Sequence, residues 1–309
     1  MTSLRDILKL IRPINALLVF ATLMVVRLIL FQYYNPFKIQ PSIDAADYFL
    51  MMVTGMLILG AGNVINDIID VDIDRLNKPR KALIPRRVSI RLAWVVYFSL
   101  NILALIFSVY LILKYQVGWY IFMPFCAILL LYVYSRWLKK KFFIGNLVIA
   151  LLCGVLGLVG FWVEMDNIHT IKELSDKDYT MILYSAGSIF IFSFLLVLAR
   201  ELIKDCEDMV GDRSAGATTI PIKLGLVRSD RLIMFLWVLY GVVFLALSIA
   251  RYKLYESTPM MIAIIIYLII YVLSIRWIMV RFADKNLYSR LSTLVKIFLI
   301  LGLIFILIK

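Results

Sequence analysis

Residues 47–74 read DYFLMMVTGMLILGAGNVINDIIDVDID. The stretch 47–66 is an apolar run long enough to cross a bilayer as a helix. It ends in an acidic cluster, residues 66–74, and a carboxylate near hydrocarbon costs about 2.5–3.5 kcal/mol at a helix centre. Carboxylates gathered at a membrane boundary therefore predict a compensating partner, and a divalent cation is the natural one.

Working outward, the rest of the chain is equally apolar. Of its 309 residues 63% are hydrophobic, whereas a soluble domain is about half apolar. The pattern predicts an all-α polytopic membrane protein, with nine transmembrane helices surrounding a central active-site cavity, in a single domain over residues 1–309. Residues 3–12 predict a short amphipathic helix at the interface before Pro13. The predicted spans are about 14–32, 47–66, 92–113, 117–135, 143–163, 180–199, 232–250, 258–275 and 291–308.

The net charge of +13 follows this topology. The N-terminus and the loops after the even-numbered spans carry 24 of the 33 Lys and Arg residues, which by the positive-inside rule places them and both acidic clusters in the cytoplasm. The C-terminus is expected outside and the protein in the cell membrane. Arg27 falls within a span, near enough to its end to snorkel to water. No nucleic-acid partner and no obligate protein partner is expected.

A second acidic cluster, residues 204–212, follows the sixth predicted span. In the first cluster Asn66, Asp70 and Asp74 are four residues apart and share one helix face. In the second, Asp208 and Asp212 repeat this spacing. Asp67 flanks the first set, and Asp205 shares the face of the second.

Carboxylate and amide oxygens are the ligands that Mg²⁺ prefers, and Mg²⁺ commonly bridges to substrate phosphates. Cations accompany both clusters and suit a diphosphate leaving group; they include Arg75, Lys78, Lys139 and Lys204. The chain has no Gly-rich phosphate loop of the nucleotide-binding type. A membrane protein with such a site is expected to bind a prenyl diphosphate, whose head meets the metal and whose apolar tail enters the bundle.

Over nearly its full length, the chain resembles a known family, the UbiA-type intramembrane prenyltransferases. Their Asn-x-x-x-Asp-x-x-x-Asp motif is matched by residues 66–74, and their Asp-x-x-x-Asp motif by residues 208–212. Their inner loop after span four resembles residues 134–146 here, which include Tyr134, Lys139 and Gly145-Asn146. Residues 66–79 and 200–221 are most similar to the digeranylgeranylglyceryl phosphate synthase branch, as is Arg12-Pro13-x-Asn15.

The resemblance implies Mg²⁺-dependent transfer of a prenyl group, expected to be geranylgeranyl, to a membrane-associated acceptor with release of diphosphate. Tyr134 would shield the allylic cation, or else lie in the interfacial aromatic belt. The expected metal ligands are Asn66, Asp70, Asp74, Asp208 and Asp212. The expected catalytic residues are Asp70, Asp74, Asp208, Asp212, Lys139 and Tyr134. The expected diphosphate-binding residues are Asn66, Asp67, Arg75, Lys78, Lys204 and Asp205.

The acceptor is the open part of this interpretation. Geranylgeranylglyceryl phosphate would need a second anion site, for which Arg12, Asn15 and Arg86 are candidates, together with Arg87. An aromatic acceptor of quinone synthesis needs a flat pocket instead. Residues 81–87 depart from the family's Arg-Pro-Ile/Leu-Pro-Ser-Gly pattern, which affects the acceptor end of the site. A divalent-cation transporter is a remote alternative. A transport pathway would need ionisable groups at several depths of the membrane, whereas both acidic clusters lie at one face.

Overall fold

A computed structural model describes residues 3–34, 40–77, 82–164, 176–279 and 285–308. Within these ranges the chain forms α-helices, one short 3-10 turn at Leu138–Lys140, and no strand. The helices are α1 (Leu4–Ile11), α2 (Pro13–Tyr34), α3 (Ala45–Ile69), α4 (Val71–Asn77), α5 (Ile90–Tyr115), α6 (Trp119–Arg136), α7 (Ile144–Trp162), α8 (Asp176–Ser214), α9 (Ile220–Leu224), α10 (Leu226–Tyr255), α11 (Thr258–Met279) and α12 (Lys285–Leu307).

Nine helices in the described ranges are long and apolar enough to cross a membrane, namely α2, α3, α5, α6, α7, α8, α10, α11 and α12. The all-α class and the integral, multi-pass character of the protein are confirmed. A helix bonds its own backbone groups, so it can cross hydrocarbon without unsatisfied amides. The central cavity and the single-domain organisation stay predictions.

Eight of the nine helices lie close to their predicted spans, and α8 is the exception. The predicted span 180–199 stops where charged residues begin, but the helix continues unbroken to Ser214. At 1.5 Å per residue, its 39 residues give a rod of about 58 Å, nearly twice the hydrocarbon thickness of about 30 Å. The second acidic cluster therefore lies on an unbroken continuation of a transmembrane helix.

The chain divides into two compact units. The first unit comprises Met1–Ala21, Ile43–Gly145 and Val210–Thr219. In it α3 packs against α1, α5 and α6. Its fully buried core includes Leu10, Val64 and Ile65, so the helix that carries the first acidic cluster is fixed by apolar packing directly beneath it.

The second unit comprises Thr22–Ser42, Asn146–Met209 and Ile220–Lys309. Aromatic rings of α10, α11 and α12 form its core; for example, the rings of Phe244 and Tyr267 stack with centroids 4.0 Å apart. Also within this unit, α7 meets α8 at Gly157. A Cβ there would lie 2.3 Å from Cγ2 of Ile189, so this close helix contact requires glycine.

One prediction about α2 is wrong. Arg27 does not snorkel, because its side chain is only 6% exposed and its Nη1 donates to Oε1 of Glu164 at 2.9 Å. The other carboxylate oxygen of Glu164 accepts from the backbone N–H of Ser42 at 2.9 Å. A buried guanidinium needs a paired partner, and Glu164 supplies it within the second unit.

The short helix α1 forms as predicted. Ser3 and Asp6 make a reciprocal capping box at its start, and Arg12 ends it in the left-handed conformation, with φ 58° and ψ 68°. Leu10 is fully buried while Leu4 is 72% exposed. The helix is therefore amphipathic with an exposed apolar edge, and its position at a membrane interface stays a prediction.

Candidate active site

The first acidic motif lies where α3 ends. Asp70 caps the helix with φ −89° and ψ 9°, outside ideal helical geometry, and α4 begins at the next residue. Two backbone hydrogen bonds nevertheless cross the junction. The N–H of Asp70 donates to the carbonyl of Asn66 at 2.9 Å, and that of Asp74 donates to the carbonyl of Asp70 at 2.8 Å. The four-residue spacing therefore survives the break, and the three residues follow one another by helical turns.

Lys139 is the cation at this motif. Its Nζ donates to Oδ1 of Asn66 at 3.1 Å and to Oδ1 of Asp70. The side chains of Lys139 and Asp70 are only 12% and 14% exposed. Burial lowers the pKa of the Lys139 ammonium, and the charges of Asp70 and Asp212 oppose that shift. The ammonium therefore interacts with the first motif directly and with the last aspartate of the second motif through its field.

Close packing fixes the backbone that carries Lys139. A Cβ on Gly145 would lie 2.7 Å from Cα of Lys139 and 2.9 Å from the carbonyl oxygen of Leu138. The carbonyl of Lys140 accepts the backbone N–H of Thr218 at 2.8 Å, and the carbonyl of Asp212 accepts that of Ala217 at 3.0 Å. The lysine turn is thus joined on one side to α7 and on the other to the chain that follows the second motif.

Asp67, beside the first motif, is paired with a residue far away in the sequence. Nη2 of Arg12 donates to Oδ1 of Asp67. Just before Arg12, the carbonyl of Ile11 accepts from the amide of Asn63 at 3.0 Å. These two contacts tie the end of α1 to the last turns of α3, so α1 is part of the support of the acidic motif.

The second acidic motif lies within α8. Asp205 accepts from Nδ2 of Asn146, on α7, at 2.8 Å. Three residues beyond Asp205 comes Asp208, and one further turn brings Asp212, with no interruption of the helix. One turn before Asp205, the carboxylate of Glu201 accepts from Arg200 at 2.8 Å and from Lys204 at 2.9 Å. The motif therefore has a cation cluster on its own helix and an amide donor from α7.

The other predicted site residues differ in how exposed their side chains are. Arg75 is 58% exposed and lies 3.6 Å from Asp72, itself 94% exposed. Tyr134 is half-buried in the last turn of α6, and Asn15 is half-buried in the first turn of α2. Arg86 is exposed in the turn before α5. Lys78 lies outside the described residues.

The donor set suits a hard divalent cation, because it consists of carboxylates and one amide oxygen. Among the described residues, however, no group of three or more His, Cys, Asp or Glu side chains converges as a metal cluster. The oxygens of Asn66 and Asp70 converge instead on the ammonium of Lys139. The residues fit Mg²⁺ by chemistry, and Lys139 lies among the oxygens of the first motif.

Three of these contacts are not specified by the sequence. Arg12, a predicted acceptor residue, contacts Asp67. Arg87, a further acceptor candidate, has its Nη1 3.3 Å from Asp6. Asn146, which belongs to a sequence motif, donates its amide N–H to Asp205. Only the Gly145-Asn146 pair gave a signal in the sequence, because it follows Lys139 at the spacing of the family's inner loop.

The fold and the site define a class of protein. It is a helical membrane protein with two acidic motifs and, between them in the sequence, a loop that carries a lysine. The chain matches the model of the UbiA prenyltransferase family over residues 19–300. It therefore belongs to the UbiA prenyltransferase family.

One curated relative and two solved structures are similar to this chain over nearly its full length. The chain is 28% identical to a protein named digeranylgeranylglyceryl phosphate synthase from Methanosphaera stadtmanae, over 96% of each chain. It is 27% identical, with a TM-score of 0.62, to a solved structure described as giving insights into the biosynthesis of digeranylgeranylglyceryl phosphate synthase in membranes, covering 98% of this chain and 97% of that one. A UbiA homologue from Archaeoglobus fulgidus bound to GPP and Mg²⁺ shares the fold, with TM-score 0.61 and 17% identity, over 98% of this chain and 100% of that one.

Proposed function

We propose that this protein transfers a geranylgeranyl group from geranylgeranyl diphosphate to geranylgeranylglyceryl phosphate and releases diphosphate. The observation that carries the proposal is the position of Lys139, whose ammonium contacts Asn66 and Asp70 of the first motif. A cation held at acidic motifs in a membrane protein suits the departure of an anionic leaving group. The names of the relatives support the choice of donor and acceptor.

The proposed cofactor is Mg²⁺, which the A. fulgidus homologue binds together with GPP. Bound to the diphosphate, Mg²⁺ would act as a Lewis acid that stabilises the developing negative charge of the leaving group. The oxygens proposed to hold it belong to Asn66, Asp70, Asp74, Asp208 and Asp212.

The other residues of the site hold and balance this ligand set. Arg12 keeps Asp67 paired beside the first motif, and Asn146 orients Asp205 beside the second. Lys139 donates to the departing diphosphate, with Lys78 and Lys204 as further cations. Arg75, which is exposed and lies 3.6 Å from Asp72, is expected to contribute least. Tyr134, five residues before Lys139, offers a ring face to the allylic cation.

The phosphate of the acceptor requires a cation and a hydrogen-bond donor of its own. Arg86 is exposed in the turn before α5, and Asn15 lies one turn from Arg12 at the start of α2. We assign the acceptor phosphate to Arg86 and Asn15, with Arg12 at the boundary between the two substrates because it contacts Asp67. The central cavity between the helices would hold the prenyl tail.

The proposed setting is the cell membrane, with the N-terminus and both acidic motifs in the cytoplasm and the C-terminus outside. The distribution of Lys and Arg along the chain supports this orientation. We further propose that residues 1–309 act as one catalytic domain without an obligate protein partner. Cysteine accessibility to membrane-impermeant reagents, measured on variants with cysteines placed in the loops, tests the orientation.

The acceptor is tested in membranes that contain the full chain. Radiolabelled geranylgeranyl diphosphate and Mg²⁺ are supplied with geranylgeranylglyceryl phosphate or with aromatic acids, in separate reactions. A labelled product only with geranylgeranylglyceryl phosphate is expected. A product only with an aromatic acid would place the protein among the quinone-forming prenyltransferases and overturn the acceptor assignment.

The metal-binding motifs are tested by substitution. Asp70→Ala and Asp208→Ala should abolish Mg²⁺-dependent transfer while both variants still insert into the membrane. Asp72→Ala is the matched control, because Asp72 belongs to the same acidic stretch but its side chain is 94% exposed, and it should retain activity. Full activity of either motif variant would contradict the proposed site.

A further inference from the structure

Lys139 contacts the same two side-chain oxygens that the proposed metal site needs. Its ammonium bonds Oδ1 of Asn66 at 3.1 Å and Oδ1 of Asp70. Mg²⁺ binds oxygen ligands at about 2.0–2.1 Å, so an ion held by both oxygens would compete with the ammonium for them. The two cations repel each other strongly at such a separation, especially in a partly buried site.

We propose that Lys139 is a built-in competitor of the divalent cation, which must release Asn66 and Asp70 before the metal can bind them. This inference rests on the proposed function, because it concerns the same ligand oxygens. In the absence of a diphosphate the competition weakens metal binding. A diphosphate that arrives with the metal offers Lys139 a new anionic partner, so metal and diphosphate bind with positive coupling.

The surrounding structure allows the side chain to exchange partners while the backbone stays in place. Gly145 packs directly on the backbone of Lys139, and the next carbonyl, that of Lys140, is held by Thr218. A lysine side chain is a flexible four-carbon stem with a compact charge at its end. The turn therefore acts as a fixed anchor from which the ammonium can move between the carboxylate of Asp70 and a diphosphate.

The charge of Asp212 also acts on the Lys139 ammonium. Like Asp70, it raises the pKa of Lys139 against the lowering effect of burial. The ammonium therefore keeps an anionic neighbour when it leaves Asp70. The net effect is selective loading of the metal together with the substrate.

The first test measures binding of Mn²⁺ alone, by electron paramagnetic resonance, to the full-length protein in nanodiscs. Lys139→Met removes the competing charge and should bind Mn²⁺ about tenfold more tightly than the wild type, within the usual range of coupling between sites. Lys139→Arg keeps the charge and should bind as weakly as the wild type. Lys141→Gln, which removes an exposed cation from the same turn, should leave the affinity unchanged.

The gained affinity must belong to the first motif, so adding Asp70→Asn to Lys139→Met should abolish it. An unchanged or weaker Mn²⁺ affinity in Lys139→Met, with the wild type still binding, would overturn the competition and leave the proposed function intact. Absence of Mn²⁺ binding in every protein would overturn the proposed metal site itself, and the inference with it.

A second test uses the unmodified chain, so it does not depend on how a variant folds. The rate at which an amine-reactive reagent labels Lys139 is measured by mass spectrometry, with Lys141 as the internal reference. Saturating Mg²⁺ should raise the labelling of Lys139 severalfold by displacing the ammonium, and Mg²⁺ with inorganic diphosphate should suppress it again. Labelling of Lys139 that does not respond to Mg²⁺ would overturn the inference.

Discussion

The two acidic motifs have the same four-residue spacing but different backbones and different partners. The first motif straddles a helix end, since α3 stops at Ile69 and Asp70 serves as its cap. The second lies inside α8, which continues to Ser214 without a break. In the first motif, Asp70 accepts from Lys139, which lies in a turn 69 residues further along the chain. Beside the second motif, Asp205 accepts a hydrogen bond from the neutral amide of Asn146 on α7.

From this difference we infer that the two motifs have different roles. A carboxylate that is paired with a lysine ammonium can exchange one cation for another, which suits a site that binds and releases a metal and a diphosphate. Asp205, beside the second motif, accepts a hydrogen bond from a neutral amide on α7, which fixes the orientation of its carboxylate. We therefore expect the first motif to be sensitive to charge and the second to be sensitive to geometry.

Among substitutions outside the proposed metal ligands, removing the lysine should have the largest effect. Lys139→Met should lower kcat by about 10²–10³-fold, as expected when one preorganised group at the developing charge is lost. Steady-state kinetics with saturating Mg²⁺ measure this, and Lys141→Gln provides the matched control. A kcat within about threefold of the wild type would mean that the first motif does not depend on its cation.

The second-largest effect is expected from disturbing the turn that carries Lys139. Gly145→Ala introduces a Cβ that would lie 2.7 Å from Cα of Lys139, so the turn must shift; a displacement of about 1 Å can cost about 10²-fold in rate. Gly118→Ala is the control, because a Cβ there meets nothing within 4 Å. Equal activities of the two variants would show that the position of the turn does not control the reaction.

A smaller loss is expected at the second motif. Asn146→Ala removes the amide that binds Asp205 and should weaken Mn²⁺ binding in the presence of diphosphate by about 10-fold, at the lower end of the range for groups that orient metal ligands. Asp205→Asn should have a similar effect, and the double variant should lose little more than either single one, because the two side chains act through one contact. Fully additive losses would argue against that contact.

The smallest effect is expected at Arg75. Its guanidinium lies 3.6 Å from Asp72 on an exposed surface, with the two side chains 58% and 94% exposed, and such surface pairs contribute about 0–1 kcal/mol. Arg75→Gln should therefore change kcat/KM by less than about fivefold. A loss of two orders of magnitude in the same kinetic assay would instead assign Arg75 to the diphosphate, as its place in the sequence suggests.

Much of the fold could be predicted because its signals are local. A run of apolar residues defines each span through its own length and composition, and the predicted spans fall close to the helices of the structure. The charged continuation of α8 could not be predicted by that criterion, because hydropathy falls after residue 199 although the hydrogen bonding of the helix continues to Ser214. The buried Arg27–Glu164 pair was missed for a related reason, since a charge inside a span is expected to reach water unless its partner is known.

The sequence by itself determined the membrane class, the two acidic motifs and the family, because hydropathy and four-residue spacing depend only on neighbouring residues. Only the tertiary structure decided which cation meets which carboxylate. Arg12 and Asp67 are 55 residues apart, Asn146 and Asp205 are 59 apart, and Lys139 and Asp70 are 69 apart. Pairings over such distances depend on how helices pack and on where a turn such as 138–140 is anchored, and no local pattern in the chain specifies them.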